Sequence, residues 1–146
     1  MHPRDWLLIF LRPTDVGASQ ALDPIRIQKG MFYLSREPST PPAQRYDFVP
    51  YYYGPCSFSI YSDIDQLIGS GLIEPVPVPG QSWRKYRLTE AGLEQAAKLA
   101  ATAGPRAVET CAAARSRVTN HTFRSLLKEV YEQYPEYAVK SVANLP

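Results

Sequence analysis

Within seven residues the chain sets Gln81, Ser82, Arg84, Lys85 and Arg87 around Trp83. Guanidinium and ammonium groups beside amide and hydroxyl donors suit the oxygens of phosphate, and an indole among them can pack on a sugar. Upstream, Ser59, Ser62 and Gln66 offer short hydroxyl and amide groups of the kind that reach base edges in a duplex groove, with Tyr61 near the backbone. Their surroundings work against that chemistry. From Ser57 to Ser70 there is no Lys or Arg, and Asp63 and Asp65 would repel phosphate. A third set is aromatic: Tyr46, Phe48, Tyr51, Tyr52 and Tyr53. Tyrosine gives a protein interface large apolar area at low entropy cost, although the plainer expectation is that these rings pack beneath the neighbouring helix.

Catalytic chemistry finds less support. Cys56 stands near an expected helix N-terminus, where a thiol pKa can fall, and His2 and His121 are the available bases. Nothing in the spacing brings either histidine to the cysteine. Neither a Gly-rich phosphate loop nor a metal-ligand cluster is present in the sequence. The expectation is a protein that is not an enzyme and uses no metal or cofactor.

The elements that must position these residues lie between Tyr53 and Leu93. Gly54-Pro55 closes off what precedes, and Ser57 or Ser59 is the expected N-cap of a helix. Ile60, Ile64, Leu67, Ile68 and Leu72 follow at the spacing of one helical face. Gly69 and Gly71 stop that helix near Ser70, because glycine reaches the left-handed conformation of a C-terminal cap. Leu72, Ile73 and Val76 suit a strand, yet Pro75, Pro77 and Pro79 lack the amide a central strand must donate, so the strand must lie at an edge. Pro79-Gly80-Gln81-Ser82 is turn chemistry. Trp83 to Leu88 returns as a second arm, and Thr89 caps a helix that opens with Glu90. Helix, turn and two-stranded ribbon in this order make a winged helix-turn-helix, whose recognition helix enters the major groove of duplex DNA.

The same residues carry a resemblance. Ile60-Tyr61, Leu67 and Gly71-Leu72-Ile73, followed by Lys85-Tyr86-Arg87-Leu88-Thr89-Glu90-Ala91-Gly92, resemble the recognition helix, wing and following junction of PadR- and MarR-type regulators. That resemblance implies a DNA-binding transcriptional regulator that works as a homodimer, with Gln81, Ser82, Arg84, Lys85 and Arg87 on phosphate and Ser59, Tyr61, Ser62 and Gln66 on the recognition helix. Tyr53-Gly54-Pro55 with Ser57, Gly71-Leu72-Ile73, Leu126-Leu127, Val130-Tyr131 and Tyr134-Pro135-Glu136 are similar to small bacterial proteins related to the Panacea antitoxin domain. This second likeness implies an antitoxin-like or adaptor module that keeps the winged-helix shape and binds a protein, such as a toxin, through Tyr46, Phe48, Tyr51, Tyr52 and Tyr53. Residues 46–55 depart from the first pattern, since two prolines and an aromatic run suit an extended segment where a helix-turn-helix has its second helix.

A chain of 146 residues accommodates one domain with a real core. The expected fold is mainly α with a small β-wing (α+β): an N-terminal helix and loop over 1–22, a winged-helix core over 23–93, and a C-terminal helical extension over 94–146. Two cysteines make no disulfide framework, and the apolar run from Trp6 to Leu11 is too short for a membrane span, so a cytoplasmic bacterial protein is expected. Residues 1–80 hold 6 Lys/Arg against 8 Asp/Glu, and residues 81–146 hold 10 against 6, so positive potential begins at the wing.

Met1 to Leu11 reads as a short helix with Pro3 in its first turn, and Thr14 to Ala21 as a loop. Asp23-Pro24 is a strong helix start, with Ile27, Met31 and Leu34 on one face and Gly30 marking a close approach. Arg26 and Lys29 on this helix are candidates for extra phosphate contacts. Helices are expected from Leu88 to Ala103 and from Arg106 to Val118. A last one, capped by Asn120, carries Phe123, Leu126, Leu127, Val130 and Tyr131, and dimerisation is expected through 89–134.

Overall fold

A computed structural model of the chain describes residues 1–14 and 21–143. The described residues form helices α1 (Pro3–Phe10), α2 (Pro24–Ser35), α3 (Phe58–Gly69), α4 (Glu90–Ala103), α5 (Pro105–Thr119) and α6 (Phe123–Gln133). Two antiparallel hairpins accompany them, β1 (Val49–Tyr51) with β2 (Gly54–Cys56) and β3 (Ile73–Pro77) with β4 (Arg84–Leu88). The protein is mainly α with a small β-wing. Most of the loop expected over 14–21, and the last three residues of the expected C-terminal extension, lie outside the described residues. No helix among those described is long and apolar enough to cross a membrane.

Helix α2 begins as its residues dictate. The Asp23 carboxylate accepts from the Arg26 amide at 2.8 Å, and Pro24 occupies the first turn, where its missing N–H costs nothing. Ile27, Met31 and Leu34 are buried in one core cluster that also takes Leu7, Phe10, Ile60, Ile64, Val118, Leu126 and Tyr137, so residues from all three expected segments share a single interior. Gly30 is the close approach: a Cβ there would stand 2.2 Å from Phe10 Cζ, so α1 and α2 pack together only over a glycine.

Helix α3 buries Ile60, Ile64 and Leu67. Ser57 is its cap residue, but its hydroxyl makes no capping bond. Gln28 instead holds the Ser57 backbone like a strand partner, accepting from its amide at 2.8 Å and donating to its carbonyl at 3.0 Å. At the other end Gly71 adopts φ +76°, the Gly71 amide reaches Ile68 O at 3.0 Å and the Leu72 amide reaches Leu67 O at 2.9 Å. This pair of bonds is the Schellman arrangement, which satisfies the last helical carbonyls and sends the chain back toward the wing.

The wing explains its own prolines. Leu22 exchanges both backbone hydrogen bonds with Tyr86, at 2.9 and 2.8 Å, and so adds a one-residue third strand on the far side of β4. With both Tyr86 groups turned toward Leu22, the opposite pair Pro75–Tyr86 lies at a non-hydrogen-bonded position of the β3–β4 ladder. Pro77, two residues on, faces Arg84 in the same phase. Both prolines therefore occupy positions where no amide is required.

Helix α4 starts at Thr89, whose hydroxyl accepts from the Gly92 amide at 3.0 Å and donates to Gly71 O at 2.6 Å. A Cβ on Gly92 would lie 1.9 Å from Leu72 O, so this glycine lets the helix sit directly on the turn after α3. Helices α4 and α5 lay Ala96, Ala100, Cys111, Ala114 and Val118 against their own chain. Buried Arg115 donates to Leu11 O at 3.1 Å, supplying a donor for the carbonyls that end α1. The expected cap of α6 is corrected: Asn120 is in the helical region and ends α5, while the Thr122 hydroxyl accepts from the Ser125 amide. Tyr134 and Tyr137, in the turn after α6, meet Phe32 edge-on at 4.9 Å each, and Arg36 covers that cluster at 4.8 Å from the Phe32 ring.

Candidate functional site

The wing cations do not converge. Alternation along β4 puts Arg84 on the face of Tyr86 and Leu88, and Lys85 with Arg87 on the other. Arg87, expected on phosphate, donates from Nε to Glu74 Oε1 at 2.6 Å across the ladder, in a pair whose two side chains stay exposed. Gln81, Ser82 and Arg84 are exposed near the tip, while Lys85 is half-buried beside Leu22, Asp23, Arg26 and Asn120. Among the described residues Arg84 and Lys85 form no ion pair. On α3, Ser59, Tyr61, Ser62 and Gln66 reach solvent as the helix phase requires, but exposed Asp65 lies between them.

The two cations proposed to supplement the wing are corrected. Arg26 is pinned by Asp23 at 2.6 Å and by the carbonyls of Val118 and His121 at 3.1 and 2.9 Å. Lys29 is 2% exposed and donates to Pro55 O at 3.0 Å, stapling the β1–β2 hairpin to α2.

The aromatic run divides. Tyr46 and Phe48, expected in an interaction surface, are removed from it. Tyr46 is buried and donates to Asp63 Oδ2 at 2.6 Å, so burial, and then that carboxylate, hold its phenol well above the usual range. Phe48 packs edge-on to Phe32 at 5.4 Å. Tyr51, Tyr52 and Tyr53 do face water. The turn carrying them closes because Gly54 takes φ +90°, a conformation costly for other residues, and the Val142 amide fastens onto Tyr52 O at 2.9 Å.

These three tyrosines belong to a larger surface. Tyr51 stacks on Tyr52 with ring centres 4.4 Å apart and meets Phe58 edge-on at 5.1 Å; Tyr53 meets Phe123 edge-on at 5.6 Å. A cleft of about 520 Å³ is walled by Tyr53, Tyr61, Trp83, Phe123, Pro24 and Ile25. A second recess of about 200 Å³ shares Ile25, Tyr53 and Tyr61 with it and is lined also by Gln28, Lys29, Tyr52 and Cys56. Tyr52 and Phe58 are 51% and 53% exposed, unusual for rings in contact with other rings. Phe58 had a signal in the sequence. It stands two residues before Ile60, about 200° around the helix from the buried stripe. Phe123 and Lys29 had none, because their place depends on helices brought together from far along the chain.

Burial perturbs three ionisable groups that line the second recess. Lys29 is lowered to about 8, chiefly by loss of water, with Cys56 and Asp23 pulling the other way. The Cys56 thiol is pushed up by the same loss, against the Lys29 charge and a hydrogen bond with Tyr61. Tyr61 is pushed up to about 12 by burial and then by Cys56. Cys56 is thus kept a thiol, although a helix N-terminus of the kind it precedes can lower a thiol pKa. His121 contacts Glu129 at 3.3 Å and Ser125 at 3.0 Å. Among the described residues no three His, Cys, Asp or Glu side chains are grouped to hold a metal ion. Neither a family model nor a curated protein matches the chain.

Proposed function

We propose that this chain is a protein-interaction module built on a winged-helix frame, an antitoxin-like or adaptor protein whose partner polypeptide seats on the aromatic face. The observation that carries this reading is the continuity of that face: Tyr51, Tyr52 and Phe58 touch one another in solvent, and Tyr53, Tyr61, Trp83 and Phe123 extend them into a cleft. Clustered aromatic rings with a recess beside them are the anchors that dominate binding at protein interfaces. The face also includes the hairpin that stands where a DNA-reading helix-turn-helix has its second helix. Reduced Cys56 and Cys111 fit a cytoplasmic location. The test is purification of the native protein after nuclease treatment, beside a Tyr52→Ala, Phe58→Ala double variant. A stoichiometric polypeptide held by the first and lost by the second supports the reading; equal retention by both overturns it.

A second reading, duplex DNA binding by a transcriptional regulator, is favoured by the solvent-facing wing tip, where Arg84, Gln81 and Ser82 are exposed and no acid neutralises Arg84 or Lys85 among the described residues. It ranks below the first because the exposed face of α3 has no cation and Arg87 already holds Glu74.

A further inference from the structure

We propose that the cleft takes the C-terminal carboxylate of the partner polypeptide, with the carboxylate at Lys29 and the last apolar side chains against the aromatic walls. This inference rests on the protein-binding reading above and adds the part of the partner that is read. Its starting point is a mismatch of charge. Lys29 is a buried cation, and no carboxylate forms an ion pair with it among the described residues. Its ammonium carries three donors, of which Pro55 O engages one. The other charged groups lining the joined cleft, Asp23 and Arg26, neutralise each other at 2.6 Å. The linings of the two recesses therefore carry one net positive charge, that of Lys29, and an anion is the ligand that matches it. A buried charge lacking a counter-ion is costly to the fold that keeps it; one that also lines a recess open to a cleft has a place for that counter-ion to enter.

The walls specify the rest of the ligand. Ile25, Tyr53 and Tyr61 are common to the recess that contains Lys29 and to the larger cleft, which adds Pro24, Trp83 and Phe123, apolar bodies with few polar groups. A ligand that presents a carboxylate first and apolar bulk immediately behind it fits this order. A polypeptide ending in apolar residues has that order at its C-terminus, and capture of a terminal carboxylate is a recurring mode of peptide recognition. The two recesses together fall in the range of about 300–1,000 Å³ typical of ligand sites, enough for a few residues in extended form. A buried internal Asp or Glu would bring the charge but not the apolar neighbours in line behind it. A cationic ligand, which an aromatic cage otherwise favours, is opposed by Lys29 itself.

The probe is a pool of fluorescein-labelled hexapeptides with Leu, Ile, Val or Phe at the last two positions, made with a free C-terminal carboxylate and, separately, as the amide, and titrated with the full chain by fluorescence polarisation. The expected result is binding of the free-acid pool and about tenfold or greater weakening by amidation. In Lys29→Met that difference disappears, in Lys29→Arg it is retained at least in part, and in Trp83→Ala both pools weaken. Because acid and amide are compared on the unaltered protein, the central result does not depend on any variant folding. Equal binding of the two pools, or no binding of either, overturns the proposal, as does discrimination that survives Lys29→Met. Saturation of the cleft by 1-naphthoate well below the concentration of peptide required overturns it too, and would assign the site to a small organic acid. Failure here with loss of a captured partner in the Tyr52→Ala, Phe58→Ala variant would leave the protein-binding reading standing, so the two are separable.

Discussion

Replacing Lys29 with methionine removes a buried cation while keeping most of the side chain's bulk. The lysine's pKa falls from its ordinary 10.5 to about 8 on folding, which at about 1.4 kcal/mol for each tenfold change in proton affinity is a cost of about 3 kcal/mol to the folded state with the charge on. Below pH 8 both folded and unfolded chains hold the proton, so the whole cost is present at neutrality. Between pH 8 and 10.5 the folded protein sheds the proton while the unfolded chain keeps it, and stability from this group rises with pH. By pH 10 most of the cost is gone. At pH 7 the methionine variant escapes the charge cost but leaves Pro55 O without its donor, worth roughly 1–3 kcal/mol, so the two proteins should be of similar stability there. By pH 10 the wild type should lead by about 2–3 kcal/mol. Cys56 and Tyr61, both raised by burial, cost stability as pH climbs through their ordinary values; Tyr61 does so in both proteins, while Cys56 loses in the variant the Lys29 charge that lowers it and so adds to the wild-type lead at high pH. Urea unfolding at intervals from pH 7 to 10, followed by tryptophan fluorescence, reads the effect directly. A wild-type lead that stays constant across that range would refute the claim that Lys29 is a desolvated, uncompensated charge.

Three further outcomes follow from the packing. Gly92→Ala should destabilise at the top of the ~1–3 kcal/mol range for overpacking or beyond it, since the added carbon meets backbone rather than a side chain that can swing away; thermal unfolding checks this. Charge reversal at Arg84 and Lys85 together should leave partner capture intact and reduce any residual duplex binding with a shallower salt dependence, read in a salt-titrated mobility shift; sequence-selective duplex binding by the unaltered chain that the reversal abolishes, with no polypeptide captured by either protein, would favour the regulator reading. Homodimerisation through 89–134 is read by sedimentation: Leu93 on α4 is 40% exposed, so a dimer that dissociates on Leu93→Asp supports a two-fold interface there, and a monomer at every concentration tested rules it out.

Local chemistry made much of this fold legible in advance. Asp23-Pro24, Gly71 and Thr89 each start or stop an element through bonds made within a few residues, and the structure has all three where the sequence puts them. The prolines of the wing were readable as an edge, and Pro50 and Pro55 as extended chain. What stayed hidden depends on partners far apart in sequence. The strand pairing of Leu22 with Tyr86, the burial of Lys29 under Pro55, and the bond from Tyr46 to Asp63 carry no local mark. The aromatic run shows the limit most clearly. Five rings within eight residues could pack beneath the helix or form one surface, and they divide: Tyr46 and Phe48 turn inward while Tyr51, Tyr52 and Tyr53 stay in water. Which rings are inward is decided by where α2, α3 and the turn after α6 leave space. Asn120 and Thr122 differ for a related reason: both can cap a helix, and α5 running on to Thr119 leaves only Thr122 in extended backbone.

The aromatic face is the surface on which binding is expected to depend. The measurement that addresses it most directly is the affinity of the captured polypeptide for three proteins side by side: the unaltered chain, Tyr52→Ala with Phe58→Ala, and the Arg84, Lys85 charge reversal. Truncation of the two rings should weaken binding by about 2 kcal/mol or more, as for anchor residues, and the charge reversal should change it little. Binding that survives loss of the rings and collapses on reversal of the wing charges would contradict the account.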